Sequence, residues 1–585
     1  MLDDIQSFQG LKWHLTSADD EQVRALAQKF NLPEVVARIL VSRGQTVETT
    51  DAFLNPTLKN NLPNPLSLKD MEKAANRMAD SVIRNEPIGI MGDYDVDGAT
   101  STALLKMLLE DLGITVHTFI PEREDGYGPN AKKMKEFYDL GCRLVATLDC
   151  GMTAFEPIKA GKDLGLDIIV LDHHDPEKTL PDAYAVVNPK RLDESLDHPC
   201  RYMAAVGVVF LFAVALNTVL RNRGFYSDKA EPNLIRYLDL VAFGTVCDVM
   251  KLQGVNRLFV KAGLNQMRKG ENKGLAALSA HLQLDEPPTT YHLGYVLGPR
   301  VNACGRVGHS DMGMRLLSCR DSVKAAALAQ QLDDLNLTRR DIEATVFLDA
   351  MEQVESRPNP SDPFLLVKGE DWHQGVVGIV AGRLKDRYNL PVFALSIEGD
   401  EVKGSSRSVQ GVDLGTLIMN ALAKGILTRG GGHPMAAGFS LKKEKLDDFY
   451  TYLKENISPE IANTGASSLD IDGILDIGGV TPELVDKLDL LAPFGEANPE
   501  PRFMIQNVCV SYTKLLKNGH ISCSLTGRGG GYLSAIAFRS ADTELGNQLL
   551  KAQDTLFNVV GVLRHDNWRG QNKVQVQIQD MAKAL

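Results

Sequence analysis

No Cys-x-x-Cys pair occurs in this chain of 585 residues, whose eight cysteines are scattered singly along it. The expectation is reduced thiols in a cytoplasmic protein. The longest apolar stretch, Met203 to Leu216, falls short of the ~20 residues a membrane span needs. It reads as a buried helix, and no membrane role is expected. The opening Met-Leu-Asp-Asp lacks the basic-then-apolar pattern of a signal peptide. A Gly-x-x-x-x-Gly-Lys-[Ser/Thr] phosphate loop is also missing, so there is no evident motor for opening a duplex. Basic residues are in deficit: 63 Lys and Arg stand against 75 Asp and Glu, a net charge of −12. Such an exterior discourages indiscriminate duplex binding, although locally placed arginines can still hold a nucleic acid.

What the chain does have is acid at the ends of strands. Ile88 to Gly92 runs into Asp93-Tyr94-Asp95-Val96-Asp97-Gly98, Leu144 to Leu148 into Asp149, and Ile168 to Leu171 into Asp172-His173-His174. Unbroken Val/Ile/Leu runs separated by helix-length segments read as buried strands of a parallel sheet. The carboxyl ends of such strands face one crevice. Asp93, Asp95, Asp97, Asp149, Asp172, His173 and His174 should therefore meet in space. Any one acid alone would serve as a turn or helix cap. Three acid-bearing strand ends, the third with paired histidines, instead predict a centre for Mn²⁺ or Mg²⁺, hard cations that favour oxygen donors with an imidazole or two.

These segments, followed by Asp248 within Phe243-Gly244-Thr245-Val246-Cys247-Asp248 and by Gly430-Gly431-Gly432-His433 far downstream, resemble the successive motifs of the DHH phosphoesterase superfamily. Gly298 to Arg306 and the Asp371 to Gly378 segment are similar to its branch of bacterial exonucleases specific for single-stranded DNA. Where small-substrate members carry a histidine four residues before the first acid of Asp-x-Asp, this chain has Met91, and Asp93 can supply the missing ligand. The resemblance implies two metal ions on Asp93, Asp95, Asp97, Asp149, His173 and Asp248. Asp95, Asp97, Asp149, His173 and His174 are the catalytic set, Asp149 is a candidate bridge, and Asp172 can fix an imidazole. It further implies substrate contacts from Arg123, Arg300, Asn302, Arg306, His373, Ser406, Arg407, Gly432 and His433. The implied activity is 5′-to-3′ removal of nucleotides from single-stranded DNA in recombination and mismatch repair, alongside a single-strand-binding protein and a RecQ-type helicase. Two rivals are a superfamily enzyme for short oligoribonucleotides or cyclic dinucleotides, and a catalytically silent DNA-binding scaffold.

The expected architecture is α/β: a helical lead-in (1–65), a parallel-sheet phosphoesterase domain (66–310), a long connector helix (311–358) and a second α/β, DHH-associated domain (359–460). An OB-like β-barrel follows (461–585). The helix after the first acidic loop carries Leu104, Met107, Leu108 and Leu112, the spacing of a stripe packed on a sheet. Five short strands from about Ser468 onward predict the barrel. Basic and aromatic residues interleave there, including Arg528, Tyr532, Arg539, Trp568 and Arg569, a combination able to track a backbone and stack bases.

Overall fold

The apolar runs with acidic ends form β1 (Ile88–Gly92), β3 (Leu144–Leu148) and β4 (Asp167–Leu171), joined by β2 (Val116–Phe119) and β5 (Ala185–Val187). The sheet order is β2-β1-β3-β4-β5 and every pairing is parallel. Every residue of β1 and β3 is buried, as a parallel sheet covered on both faces requires. The computed structural model describes residues 7–123, 126, 128–357, 359–458, 468–527, 529–552, 555–566 and 573–584. These residues fall into two compact units, one drawn from 63–250 and 262–464, the other from 1–62, 251–261 and 465–585.

In the first unit α1 (Val96–Asp111) starts at the acidic loop and is buried on nearly every side. The single stripe expected of it understates the packing, because α2 (Ala205–Asn222) and α3 (Leu238–Cys247) lie against α1 as well. Enclosure by a sheet and two helices buries even Thr100, Ser101 and Thr102, leaving Lys106, Glu110 and Asp111 as the charged residues of α1 that are not buried. Helix α2 itself is long and apolar enough by composition to cross a membrane, yet most of it is buried inside the fold.

Helix α4 (Gly298–Val307) leads into α5 (Ser322–Glu355), capped by the Asp321 carboxylate on the amides of Val323 and Lys324. At ~1.5 Å per residue, its 34 residues span roughly 50 Å. It packs on α4 at one end and on α6 (Gln374–Tyr388) further along. A second sheet follows: β6 (Leu365–Glu370), β7 (Val392–Glu398), β8 (Glu401–Arg407), β9 (Arg429–His433) and β10 (Ala436–Lys442), in the order β9-β10-β8-β7-β6. Only β6 and β7 run parallel.

The other unit holds β11 (Gly473–Leu475), β12 (Arg502–Leu515), β13 (Ile521–Gly527), β14 (Tyr532–Ala537), β15 (Leu556–Asp566) and β16 (Lys573–Lys583). The order β11-β12-β13-β14-β16-β15, with β15 returning to β12, closes a five-stranded barrel. Val23, Leu26, Val36 and Leu40, from the helices Asp20–Phe30 and Glu34–Ser42, share one core with Phe503, Leu525 and Val559 of this barrel. A strand, Lys12–Leu15, pairs in parallel with Ser468–Ile471. The amino-terminal segment, expected as a helical lead-in, thus contains a strand and packs with the far end of the chain.

Candidate metal centre

The β1 strand ends in a loop that turns directly into α1. Asp95 caps that helix by accepting from the Gly98 amide at 3.1 Å. Gly98 is required there, since a Cβ would lie 2.4 Å from the Asp93 carbonyl oxygen. Asp97 is fully enclosed, its carboxylate accepting from the Ala205 and Val206 amides at the start of α2, at 2.6 and 2.9 Å. At the end of β3, Asp149 has φ of +59°, a left-handed backbone that costs a non-glycine residue of order 1 kcal/mol or more. Such strain recurs where geometry serves a site. Asp248 caps the carboxyl end of α3.

The separate elements bring these groups within a few ångströms. Nε2 of His173 lies 3.3 Å from Asp149 Oδ1, 3.4 Å from Asp248 Oδ2 and 3.8 Å from Asp97 Oδ2. Ligand atoms of Asp93, Asp95 and Asp149 lie within 4.8 Å of one another, as do those of Asp97, His173 and Asp248, and those of Asp149, His173 and His174. Asp172 stands behind the histidines. It accepts from the His174 ring at 2.8 Å, from the amides of His173 and His174, and from the Met152 amide.

Electrostatics show how much this cluster wants cations. Burial and then the Asp95 charge push Asp93 well above the usual carboxylate range and Asp97 up to about 7. Burial, followed by Asp97 and Asp95, raises Asp149 likewise and takes Asp248 to about 9. Burial holds His173 down at about 3, the form that offers a lone pair to a metal. For His174 burial pulls downward, but the Asp172 hydrogen bond and neighbouring carboxylates win and raise it to about 9. Asp93 Oδ1 and Asp248 Oδ2 are buried without a hydrogen bond. Buried polar atoms normally have partners, and hard cations would supply them for the two carboxylates. The donor set, carboxylate oxygens with one neutral imidazole, fits Mn²⁺ or Mg²⁺.

Beside the acids lies positive charge. Arg123 stacks over the Tyr94 ring at 4.3 Å and donates to the Gly305 carbonyl at 2.6 Å. Burial lowers Arg306 to about 10, with Arg123, Arg339 and Arg407 adding repulsion, so an anion among them would be welcome. Arg123, Arg306, His309, His373 and Lys403 are among the residues lining a cavity of about 720 Å³ between α4 and the second sheet. His373 caps α6, its ring nitrogen accepting from the Gly375 amide.

The other expected substrate residues divide. Along β8 burial alternates, so Arg407 shares a face with Ser405, whose hydroxyl accepts from it at 3.3 Å. Ser406 points the opposite way, fully buried and donating to the Ala437 carbonyl. The hydroxyl beside the arginine is therefore that of Ser405, a correction that strand alternation alone could have supplied. Arg300 is taken up by Asp333 of α5, at 3.0 Å, and by the Val296 carbonyl. Asn302 is half-buried on α4. At Gly432 a Cβ would lie 2.4 Å from the Ala436 oxygen, while the exposed His433 ring lies 3.8 Å from Asp175. Tyr94 and Arg339 escaped the sequence reading. Arg528, Trp568 and Arg569 lie outside the described residues.

A parallel sheet whose strand ends gather acids and paired histidines, with a second sheet supplying cationic groups, defines a metal-dependent phosphoesterase of the DHH type. The matches agree: DHH family, N-terminal domain, over residues 87–245; DHHA1 domain over 361–458; RecJ OB domain over 471–580. The single-stranded-DNA-specific exonuclease RecJ of Escherichia coli (strain K12) is 35% identical over 88% of this chain and 90% of its own length. That of Bacillus subtilis (strain 168) is 32% identical over 98% and 71%. RecJ from Thermus thermophilus, solved in complex with Mn²⁺, superposes with a TM-score of 0.81 at 28% identity, covering 98% of this chain and 80% of that one. The same protein has been solved with Mg²⁺. The chain belongs to the RecJ family.

Proposed function

We propose that this protein is a single-stranded-DNA-specific exonuclease that removes nucleotides from the 5′ end by phosphodiester hydrolysis. The observation that carries the reading is the pair of three-ligand clusters, Asp93-Asp95-Asp149 and Asp97-His173-Asp248, brought together where His173 Nε2 meets Asp149. Two Mn²⁺ or Mg²⁺ ions there would screen the phosphodiester, lower the pKa of a water and stabilise the leaving oxygen. Asp149, in reach of both clusters, would be able to serve both ions. His174 is a substrate-side group whose ring orientation Asp172 fixes.

Arg123, Arg306 and Arg407 hold the terminal 5′ phosphate or the adjacent backbone, since guanidinium forks match phosphate oxygens. Ser405, His373, Gly432 and His433 belong to the same wall. Arg300 and Asn302 support it from α4, the former through Asp333. The functional partition follows residues 66–310 for chemistry, 311–358 for connection, 359–460 for holding the strand end and 461–585 for binding the strand beyond it, with Trp568 and Arg569 in that last role. Residues between Val23 and Leu54 buttress the barrel through a common core.

The family relation and the lack of an evident motor support joint action with a helicase of the RecQ type and a single-strand-binding protein, in recombination and mismatch repair. Unpaired cysteines support a reducing cytoplasmic setting. The test is direct: single-stranded DNA and RNA, labelled separately at each end, incubated with Mn²⁺ or Mg²⁺. Mononucleotides released first from the 5′ end of DNA support the proposal. Release from the 3′ end, or preference for short RNA, refutes it.

A further inference from the structure

Two large side chains that the proposed reaction leaves unused stand conspicuously in water. Tyr291 is 57% exposed and Tyr295 74%. Their rings stack on each other, centroids 5.4 Å and planes 30° apart, while Leu293 and Leu297 in the same segment are fully buried. From His292 to Leu297 the backbone is π-helical, a rare conformation that is frequent at functional sites.

This segment is fastened to the acidic crevice at both ends. The Leu293 carbonyl accepts from the Cys247 thiol at 3.4 Å, one residue before Asp248. Gly298 approaches Cys247 so closely that a Cβ would sit 2.6 Å from the sulfur. Seven residues on, Gly305 meets the metal-loop backbone, where a Cβ would lie 2.7 Å from the Tyr94 oxygen. Val249, the neighbour of Asp248, is itself 65% exposed. After the exposed Asp285 and Glu286, the stretch from Pro287 to Arg300 contains no acidic residue.

We infer that Tyr291 and Tyr295 form a base-stacking platform for the single strand as it passes the metal crevice, an inference that rests on the function proposed above. Every nucleobase has a π-face, so aromatic stacking holds a strand irrespective of sequence. An acid-free stretch spares the adjoining phosphates the repulsion that the rest of this surface would impose.

The experiment measures binding of fluorescent oligothymidylate in chelator, which stops cleavage, by the parent, by Tyr291→Ala/Tyr295→Ala and by Tyr291→Phe/Tyr295→Phe. The alanine variant should bind at least ~5-fold more weakly for each stack lost, whereas the phenylalanine variant should match the parent. On a strand of abasic sites the parent and the alanine variant should bind alike. Equal affinity of all three proteins for the normal strand overturns the platform. So does a loss of the same size on normal and abasic strands, which would make the tyrosines backbone contacts or structural supports. A parent that binds no single strand at all overturns the proposed function, and the platform with it.

Discussion

Replacing Asp172 by Asn tests whether this carboxylate sets both the position and the charge of the paired histidines. The side chain is buried, and its two oxygens accept four hydrogen bonds, from the His174 ring and from the amides of His173, His174 and Met152. An amide can keep the three on Oδ1 but must turn its NH₂ toward the Met152 amide, leaving a buried donor unmet at ~1–3 kcal/mol. The ion pair with His174 is lost as well. Burial pushes Asp172 up, but the His174 hydrogen bond and charge, with His173 and the His174 amide, more than reverse it, and the net fall from 3.8 to about 2 corresponds to ~2 kcal/mol. The rise of His174 from 6.5 to about 9 would give ~3 kcal/mol, but that ring is 38% exposed and solvent screens it. The buried carboxylate's smaller figure is therefore the better order-of-magnitude guide.

The pH dependence follows from the two directions. A raised His174 contributes stability that is full below pH 6.5 and disappears as pH climbs through about 9. A depressed Asp172 contributes stability that is full above pH 3.8 and disappears as pH drops through about 2. In chelator-treated protein, the variant should lie ~3–5 kcal/mol below the parent near pH 6 and ~1–3 kcal/mol below it past pH 9. Thermal midpoints of both proteins across that range measure it. A gap that is the same at every pH would refute the ion pair, and no gap would refute the hydrogen-bond argument too. With metal restored, hydrolysis by the variant should be down ~10–100-fold, as for other residues that orient metal ligands.

Asp95→Ala, Asp149→Ala and His173→Ala should each abolish nearly all hydrolysis with the fold retained, and chelator should do the same reversibly; activity within a few fold of the parent in all three would sink the ligand assignment. Arg407→Ala should impair use of a 5′-phosphorylated strand more than a 5′-hydroxyl one, because the terminal phosphate carries the additional charge; equal losses would reassign it to backbone binding. Ser405→Ala removes the hydroxyl beside Arg407 and should raise KM ~2- to 10-fold, the equivalent of one hydrogen bond. Ser406→Ala should lower thermal stability and leave KM alone, and the reverse pattern would show that the two serines have been confused.

The acidic crevice was legible because its logic is one-dimensional. Parallel strands share a carboxyl edge, so Asp93, Asp149 and Asp172, each at a strand end, must be neighbours however far apart they are in sequence. Groups positioned by packing between helices were not. Arg300 sits in a motif that promised substrate contact, yet Asp333, one turn from the middle of α5, takes its guanidinium. The charge of Arg339 reaches Arg306 from that same helix, and nothing in its local sequence distinguishes it from any solvent-facing arginine. The stripe on α1 gave one buried face, whereas enclosure by α2 and α3 buried the others. Nor could periodicity show that residues 12–42 would find their core in a barrel beginning more than four hundred positions later.

The cavity between α4 and the second sheet takes its walls from stretches of chain made at different times. Its Arg123 precedes the last candidate metal ligand, Asp248, whereas its His373 and Lys403 come far later. At ~5–20 residues per second on the ribosome, the acidic crevice is synthesised roughly 10–30 s before the part proposed to hold a strand end. A nascent or truncated chain could bind metal yet would have no means of choosing where to cut. On the proposed assignment, placing the end-holding groups beyond a 34-residue helix ties full catalytic competence to completion of the polypeptide.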